Sequence, residues 1–115
     1  MSRVYKSNTY REAIEALEKS VYNFRFINPD LQTPKMALDV VSIDAWSFNF
    51  VRSDLQTPEL AMVAVRWSGY CLEFIPAHLQ TQEVIEAALK KSPEAKQFIK
   101  TKGLMMEALE EVLDE

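Results

Sequence analysis

Apolar residues recur along the chain at the spacing of one helix face. A clear case is the set Leu60, Ala61, Ala64 and Val65. This spacing is typical of a helix that buries one side. A threonine precedes each such segment but the last, and its hydroxyl is a good acceptor for a free N–H at a helix start. Proline follows two of these threonines and suits the first helical position. The pattern predicts helices over about 10–20, 34–43, 58–67, 82–91 and 105–113.

A short aromatic segment follows each of the first four predicted helices after a polar break. These segments run from Tyr22 to Ile27, Trp46 to Val51, Tyr70 to Ile75 and Glu94 to Ile99. Segments this short are marginal as isolated helices, and aromatic and β-branched residues also suit strands. The capped helix before each segment favours a short α or 3₁₀ helix. The residues that follow, such as Asn28-Pro29-Asp30, predict polar, exposed turns.

These elements repeat at a fixed interval. Leu-Gln-Thr-Pro occurs at 31–34 and 55–58, and Leu-Gln-Thr-Gln at 79–82, so the interval is 24 residues each time. Repetition at this period indicates stacked repeats, and we predict an all-α fold, a small α-solenoid of four to five helix–short-helix units. The units span about 7–30, 31–54, 55–78 and 79–102, with a capping helix at 103–115. A recurrent phenylalanine predicts a core ladder that joins the units, at Phe26, Phe50, Phe74 and Phe98.

Units of this size, which pair an α-helix with a shorter helical turn, resemble the leucine-rich variant repeat. They are also similar to a bacterial family of tandem helical repeats, a domain of unknown function. The likeness spans about residues 7–102 and is carried by Leu55, Thr57, Glu59, Ala64, Val65, Gly69, Leu72, Phe74 and Ile75. The second and fourth units lack the glycine and replace Leu72 with Phe48 and Lys96. The resemblance implies a right-handed α-solenoid with a binding role and brings no catalytic residues.

Length and composition narrow the functional classes. The chain has 115 residues, of which 48% are hydrophobic, enough for one domain with a core. No apolar run approaches the roughly 18 residues that a membrane crossing needs, and the first residues do not have the pattern of a signal peptide. We therefore expect a soluble, cytoplasmic protein. The net charge of −4 gives no general attraction to nucleic acid.

No set of residues in the sequence predicts a catalytic or cofactor site. The single histidine, His78, matches turn positions in other units, and the single cysteine, Cys71, lies in an apolar stretch typical of a buried thiol. One histidine and one cysteine cannot complete a zinc site, and two glycines cannot build a phosphate-binding loop. We expect no enzymatic activity, no metal and no cofactor.

Two positions of the repeat differ between units and are candidates for a contact surface. Tyr22, Trp46 and Tyr70 occupy one of them, and Ile43 and Trp67 occupy the other. Amphipathic rings tolerate partial exposure and are enriched at interface hot spots, although core filling between the helices is an open alternative. The predicted partner-binding residues are Trp67, Trp46, Ile43, Tyr70 and Arg66. Trp67 is the first choice for an exposed anchor.

A lysine-rich stretch provides an alternative surface. It contains Lys90, Lys91, Lys96, Lys100 and Lys102, with one acidic residue among them. Such a stretch is either a solvated end of the stack or a patch that binds an acidic partner or a phosphate backbone.

The sequence as a whole predicts a non-enzymatic protein–protein interaction module that binds a partner of unspecified identity. An inhibitor or adaptor of bacterial or phage type is plausible by analogy of size alone. Binding of nucleic acid through the lysine stretch is the alternative, and self-association through an end of the stack remains open.

Overall fold

Every described element of the chain is helical. A computed structural model describes residues 9–101, and within that range there are four α-helices: α1 (Tyr10–Lys19), α2 (Pro34–Ile43), α3 (Pro58–Trp67) and α4 (Gln82–Lys91). They begin at residues 10, 34, 58 and 82, an interval of 24 each time. The all-α prediction is confirmed for this range, which contains no β-strand. The predicted bounds of α2, α3 and α4 are confirmed, whereas α1 ends one residue earlier than predicted. The predicted helix at 105–113 and the capping unit at 103–115 lie outside the described residues.

The predicted helix starts are confirmed in atomic detail. The hydroxyl oxygen of Thr33 accepts a hydrogen bond from the N–H three residues later, at 3.1 Å. The other threonines that precede α-helices, Thr9, Thr57 and Thr81, do the same. Thr9 also donates to the carboxylate of Glu12 at 3.0 Å. These caps satisfy backbone donors that no carbonyl of the helix can reach.

The aromatic segments are 3₁₀ helices rather than strands. They are η1 (Val21–Phe26), η3 (Ala45–Phe50), η5 (Gly69–Phe74) and η7 (Pro93–Phe98). Each begins after a single extended residue that ends the α-helix before it, as Asp44 does between α2 and η3. The prediction of simple polar turns after them was incomplete. Three further 3₁₀ turns lie there: η2 (Pro29–Leu31), η4 (Ser53–Leu55) and η6 (Ala77–Leu79).

The α-helices and the longer 3₁₀ helices pack as two rows. Helix α2 packs against α3 and α3 against α4, while η1, η3, η5 and η7 each contact the next in turn. The molecule measures 49 × 28 × 19 Å along its principal axes. Its core lies between the rows and comprises the inner faces of the α-helices and the 3₁₀ residues Phe24, Ile27, Phe48, Val51, Leu72 and Ile75.

The prediction of a core phenylalanine ladder is confirmed only in part, because Phe50, Phe74 and Phe98 pack against the core from its edge. Phe26 is exposed, and Phe50, Phe74 and Phe98 are half-buried, whereas Phe24 and Phe48 are fully buried. The reason is the period of the 3₁₀ helix, which has three residues per turn, so that residues three apart share a face. Phe48 and Val51 therefore face the core together, and Phe50 lies a third of a turn away.

A repeated glutamine bonds to the backbone of the 3₁₀ row, and at Gln80 it joins the 3₁₀ helices of neighbouring units. The amide of Gln80 donates to the carbonyl oxygens of Leu72, Ile75 and Phe98, each at 3.1 Å, and its oxygen accepts from the Lys100 N–H at 2.9 Å. Gln32 likewise donates to the Phe50 carbonyl at 2.7 Å. Both glutamines are buried. They satisfy backbone groups that would otherwise be buried without partners.

Gly69, at the start of η5, lies where η5 and α4 come closest. A β-carbon at this position would collide with the carbonyl oxygen of Ala88 and crowd the side chain of Ser92. The missing side chain thus permits η5 to lie directly against the end of α4.

Candidate protein-interaction surface

All five residues predicted to bind a partner lie at the surface. Ile43 is 63% exposed and Trp67 is 55% exposed. Trp46 and Tyr70 are 43% and 41% exposed, and Arg66 is exposed as well. The alternative that these rings fill the core is therefore wrong. Their role in binding stays a prediction, because exposure does not by itself identify a contact surface.

Trp46 and Tyr70 stack on the neighbouring unit of the 3₁₀ row. The ring of Trp46 lies 5.0 Å from that of Phe74, and the ring of Tyr70 lies 6.5 Å from that of Phe98, measured between centroids. Both are tilted or edge-on arrangements, which are favourable between aromatic rings. The half-buried phenylalanines thus receive the rings of the preceding unit. Trp46 and Tyr70 have a structural role in addition to their exposure.

At the first helix of the 3₁₀ row, η1, an arginine side chain lies between two aromatic rings. The guanidinium carbon of Arg25 lies 3.7 Å from the centroid of Tyr22 and 4.7 Å from that of Phe50. Arginine stacks well on aromatic faces. Tyr22 is therefore linked to the second unit through Arg25.

Ile43 and Trp67 are different. They are the last residues of α2 and α3, which pack against each other. Neither side chain makes a hydrogen bond or a ring contact with another residue in the range 9–101. Two large apolar side chains are thus exposed at equivalent helix ends, and neither stacks on a ring of the next unit as Trp46 does.

A shallow groove runs along α3 from its first turn to Arg66. It has a volume of about 300 Å³ and is lined by Pro58, Glu59, Met62, Val63 and Arg66. Arg66 is the one predicted residue that lines it. The sequence prediction missed Met62 and Val63, although a signal existed: both are large apolar residues outside the inner face defined by Ala61, Ala64 and Val65.

A second groove lies between α1 and α2. Its volume is about 290 Å³, and its apolar lining comprises Tyr10, Ile14, Leu17, Val21, Met36 and Val40. It exists because α1 packs mainly on η1, whereas α2 packs on α3. The sequence prediction did not identify this groove, since it treated all neighbouring units as equally packed.

The predicted lysine patch is spread over several elements. Lys90 and Lys91 end α4, while Lys96 is exposed on η7. The ammonium of Lys100 donates to the carbonyl oxygens of Glu73 and Ile75, at 3.1 and 2.9 Å. Lys100 therefore has a structural partner in the preceding unit. Lys102 lies outside the described residues.

Two surface ion pairs modify the charges near the helix row. Lys35 and Asp39 are 2.9 Å apart on α2, and the hydrogen bond from this lysine to Asp39 raises the lysine pKa. In the loop after η3, the hydrogen bond from Arg52 holds the pKa of Asp54 below its usual value. Arg52 also donates to the Pro29 carbonyl of the preceding unit, at 2.9 Å. These charges are locally neutralised and leave Arg66 and Lys91 as prominent cations of the helix row.

The remaining candidates for chemistry are isolated. Cys71 is fully buried, and burial raises the pKa of its thiol to about 11, with a smaller contribution from the charge of Asp44. His78 is exposed on η6. Between residues 9 and 101, no three acidic, histidine or cysteine side chains converge as metal ligands. In the same range, no helix has the length and apolar character needed to cross a bilayer.

Comparison with protein-family models, with curated proteins and with solved structures gives no match for this chain. The resemblance to leucine-rich variant repeats and to the bacterial family of tandem repeats therefore stays a prediction. The functional argument rests on the geometry of the chain itself.

Proposed function

We propose that this protein is a non-enzymatic protein-interaction module, a small solenoid of 24-residue units that binds a partner protein through Ile43, Trp67 and Arg66. The observation that carries the proposal is the pair of large apolar side chains at the ends of α2 and α3, the two most exposed in the described chain. Exposed rings beside a cation are characteristic of interface hot spots. Trp46 and Tyr70 are also exposed, but their ring contacts with Phe74 and Phe98 give them a role within the 3₁₀ row.

Recurring contacts support the solenoid. The glutamine amide reaches the carbonyl 18 residues later in two units, from Gln32 to Phe50 and from Gln80 to Phe98. The aromatic pair recurs between Trp46 and Phe74 and between Tyr70 and Phe98. Contacts that recur with the period of the sequence are what stacked repeats produce.

Nucleic-acid binding through the lysine stretch is the second candidate, and the exposed Lys91 and Lys96 favour it. It has weaker support, because Lys100 already contacts carbonyl oxygens of the preceding unit. The overall charge of −4 also opposes an approach to phosphates.

The direct test is affinity capture from native-host lysate with the wild type and with Trp67→Ala, followed by mass spectrometry and measurement of the affinity of the recovered protein. We expect Trp67→Ala to weaken that affinity by about tenfold or more, as for a hot-spot residue. Tyr10→Ala is the matched control, since Tyr10 is 54% exposed on a different part of the helix row. Loss of the partner with Tyr10→Ala alone would place the binding site at the groove between α1 and α2. Capture unaffected by Trp67→Ala would contradict the proposed surface.

A further inference from the structure

The outer face of α2, α3 and α4 carries a band of apolar side chains near the middle of each helix. These are Leu38, Met62, Val63 and Ala87, at the fifth or sixth residue of their helices. Leu38 is 47% exposed and the other three are half-buried. Met62, Val63 and Ala87 pack against the core with part of their surface, and the remaining part, together with Leu38, is open to solvent. This apolar band includes the floor of the groove on α3.

Next to the band, the last two residues of each helix form what we call the C-terminal row. The row comprises Ser42, Ile43, Arg66, Trp67, Lys90 and Lys91. All six are exposed, and none is acidic. The row is thus apolar at α2 and increasingly cationic towards α4, in a protein with a net charge of −4.

The opposite side of the band has the opposite charge. Glu59 and Glu83 are the second residues of α3 and α4. Glu86 is the fifth residue of α4, so on that helix a carboxylate occupies one of the two band positions and Ala87 occupies the other. Lys35, the equivalent residue of α2, is neutralised by its ion pair with Asp39. On α3 the apolar band therefore separates an acidic residue, Glu59, from a cationic one, Arg66. On α4 the acidic residues extend to the band, and the cationic Lys91 lies at the end of the helix.

The row is continuous because neighbouring units follow one register. The ring contacts of Trp46 and Tyr70 join residues at the same offset in successive units, and the hydrogen bonds of Gln32 and Gln80 recur at one offset in two units. Since α2 packs on α3 and α3 on α4, equivalent helix positions lie side by side. A ligand that crosses the helices would meet Ile43, Trp67 and Lys91 in succession.

We infer that this face binds an amphipathic segment of the partner protein whose polar side is acidic. The inference rests on the proposed function and adds the chemistry and orientation of the partner. The aliphatic side chains of this segment contact the apolar band and Trp67. The carboxylates of the segment pair with Arg66 and Lys91 of the C-terminal row. Charge complementarity of this kind determines specificity and association rate.

The groove on α3 accounts for the orientation. Arg66 and Glu59 lie at opposite ends of its lining, with Met62 and Val63 between them. An aliphatic side chain fits between the two charges, and the guanidinium then pairs with a neighbouring carboxylate through two N–H donors. A carboxylate at the other end would face Glu59 and be repelled. Methionine suits such a site because its flexible side chain adapts to the incoming group.

The test uses two synthetic helical peptides with identical leucine positions, one with glutamate and one with lysine at the remaining exposed positions. The protein used in the test carries Trp46→Phe, which keeps an aromatic ring against Phe74. Because the chain has 2 tryptophans, this change leaves Trp67 as the single tryptophan. Its fluorescence then reports binding at the C-terminal row. We expect saturable binding of the acidic peptide, at least about tenfold tighter than the lysine peptide and weakened by salt.

The double variant Arg66→Glu, Lys91→Glu should reverse the preference between the two peptides, while circular dichroism confirms an unchanged fold. Equal binding of both peptides would overturn the acidic chemistry and leave the proposed apolar surface intact. No binding of the acidic peptide at about 1 mM would overturn this inference, while capture dependent on Trp67 would still support the proposed function. Displacement by a single-stranded oligonucleotide, or self-association of the protein that depends on Trp67, would assign the face to another occupant and overturn the inference.

Discussion

The two tryptophans of this chain occupy neighbouring regions and have different surroundings. Trp46 belongs to the 3₁₀ row, where its ring lies 5.0 Å from Phe74 of the next unit. Trp67 ends α3, and no ring in the described range stacks on it. Both are exposed by roughly half, so exposure alone does not distinguish them. The comparison shows that aromatic residues of the 3₁₀ row join neighbouring units, whereas the C-terminal end of α3 exposes its tryptophan to solvent.

The largest effect should come from the buried side of the 3₁₀ row. Phe48 is fully buried between the rows, and its ring lies 6.0 Å from that of Phe74. Phe48→Ala should lower the free energy of unfolding by about 3–5 kcal/mol, through lost burial and a residual cavity. Chemical denaturation measures this directly. Phe26→Ala is the control, because Phe26 is exposed; an equal loss there would contradict the assigned faces of the 3₁₀ helices.

The glutamine contacts should produce the next largest effect. Gln80→Ala removes the hydrogen-bond partner of three carbonyl groups and one N–H. Because these buried polar groups would lose their partner, the free energy of unfolding should fall by about 2–3 kcal/mol. Gln56 donates to Phe48 and Val51 at the end of the preceding unit, whereas Gln80 also bonds to residues 98 and 100, and Gln56 is half-buried. Gln56→Ala should therefore cost less, about 1 kcal/mol. The reverse order in urea denaturation would show that the additional hydrogen bonds of Gln80 to Phe98 and Lys100 do not dominate.

The buried thiol of Cys71, in the same 3₁₀ row, should make the free energy of unfolding decrease at alkaline pH. Its thiol keeps its proton up to a pKa of about 11 in the fold, whereas an unfolded thiol releases it near pH 9. Between these values the unfolded chain holds fewer protons, so rising pH favours unfolding, by roughly 2–3 kcal/mol in total. Urea denaturation at several pH values should show a steeper decline for the wild type than for Cys71→Ala. Parallel declines would mean that the thiol is accessible to water.

The sequence predicted the helices well because their starts depend on local chemistry. Threonine, proline and apolar spacing act within one turn, and the helix bounds agree to within one residue. The role of the glutamine escaped prediction because its partners lie up to 20 residues away. The predicted phenylalanine ladder lies at the edge of the core and not at its centre, because a 3₁₀ helix repeats every three residues. A position in the repeat also does not specify which residues its side chain contacts. The sequence therefore could not show that Trp46 contacts a ring of the next unit and that Trp67 does not.

The smallest effects on stability should come from the tryptophans themselves, and their difference tests the comparison most directly. Trp46→Ala should lower the free energy of unfolding by about 1–2 kcal/mol, because it removes the ring contact with Phe74 together with partly buried surface. Trp67→Ala should change it by less than about 0.5 kcal/mol, as expected for an exposed side chain without an internal partner. Thermal and urea denaturation of the two variants provide the measurement.

Binding should show the opposite order. Trp67→Ala should weaken binding of the acidic peptide by about tenfold, whereas Trp46→Phe, which preserves the ring against Phe74, should leave it nearly unchanged. A Trp67→Ala protein that unfolds as easily as Trp46→Ala would mean that Trp67 helps to hold the end of α3 in the fold. The surface would then be part of the scaffold, and the contact surface would have to be sought at the groove between α1 and α2. Retained stability with lost binding would assign the two tryptophans to separate roles, one in the stack and one in recognition.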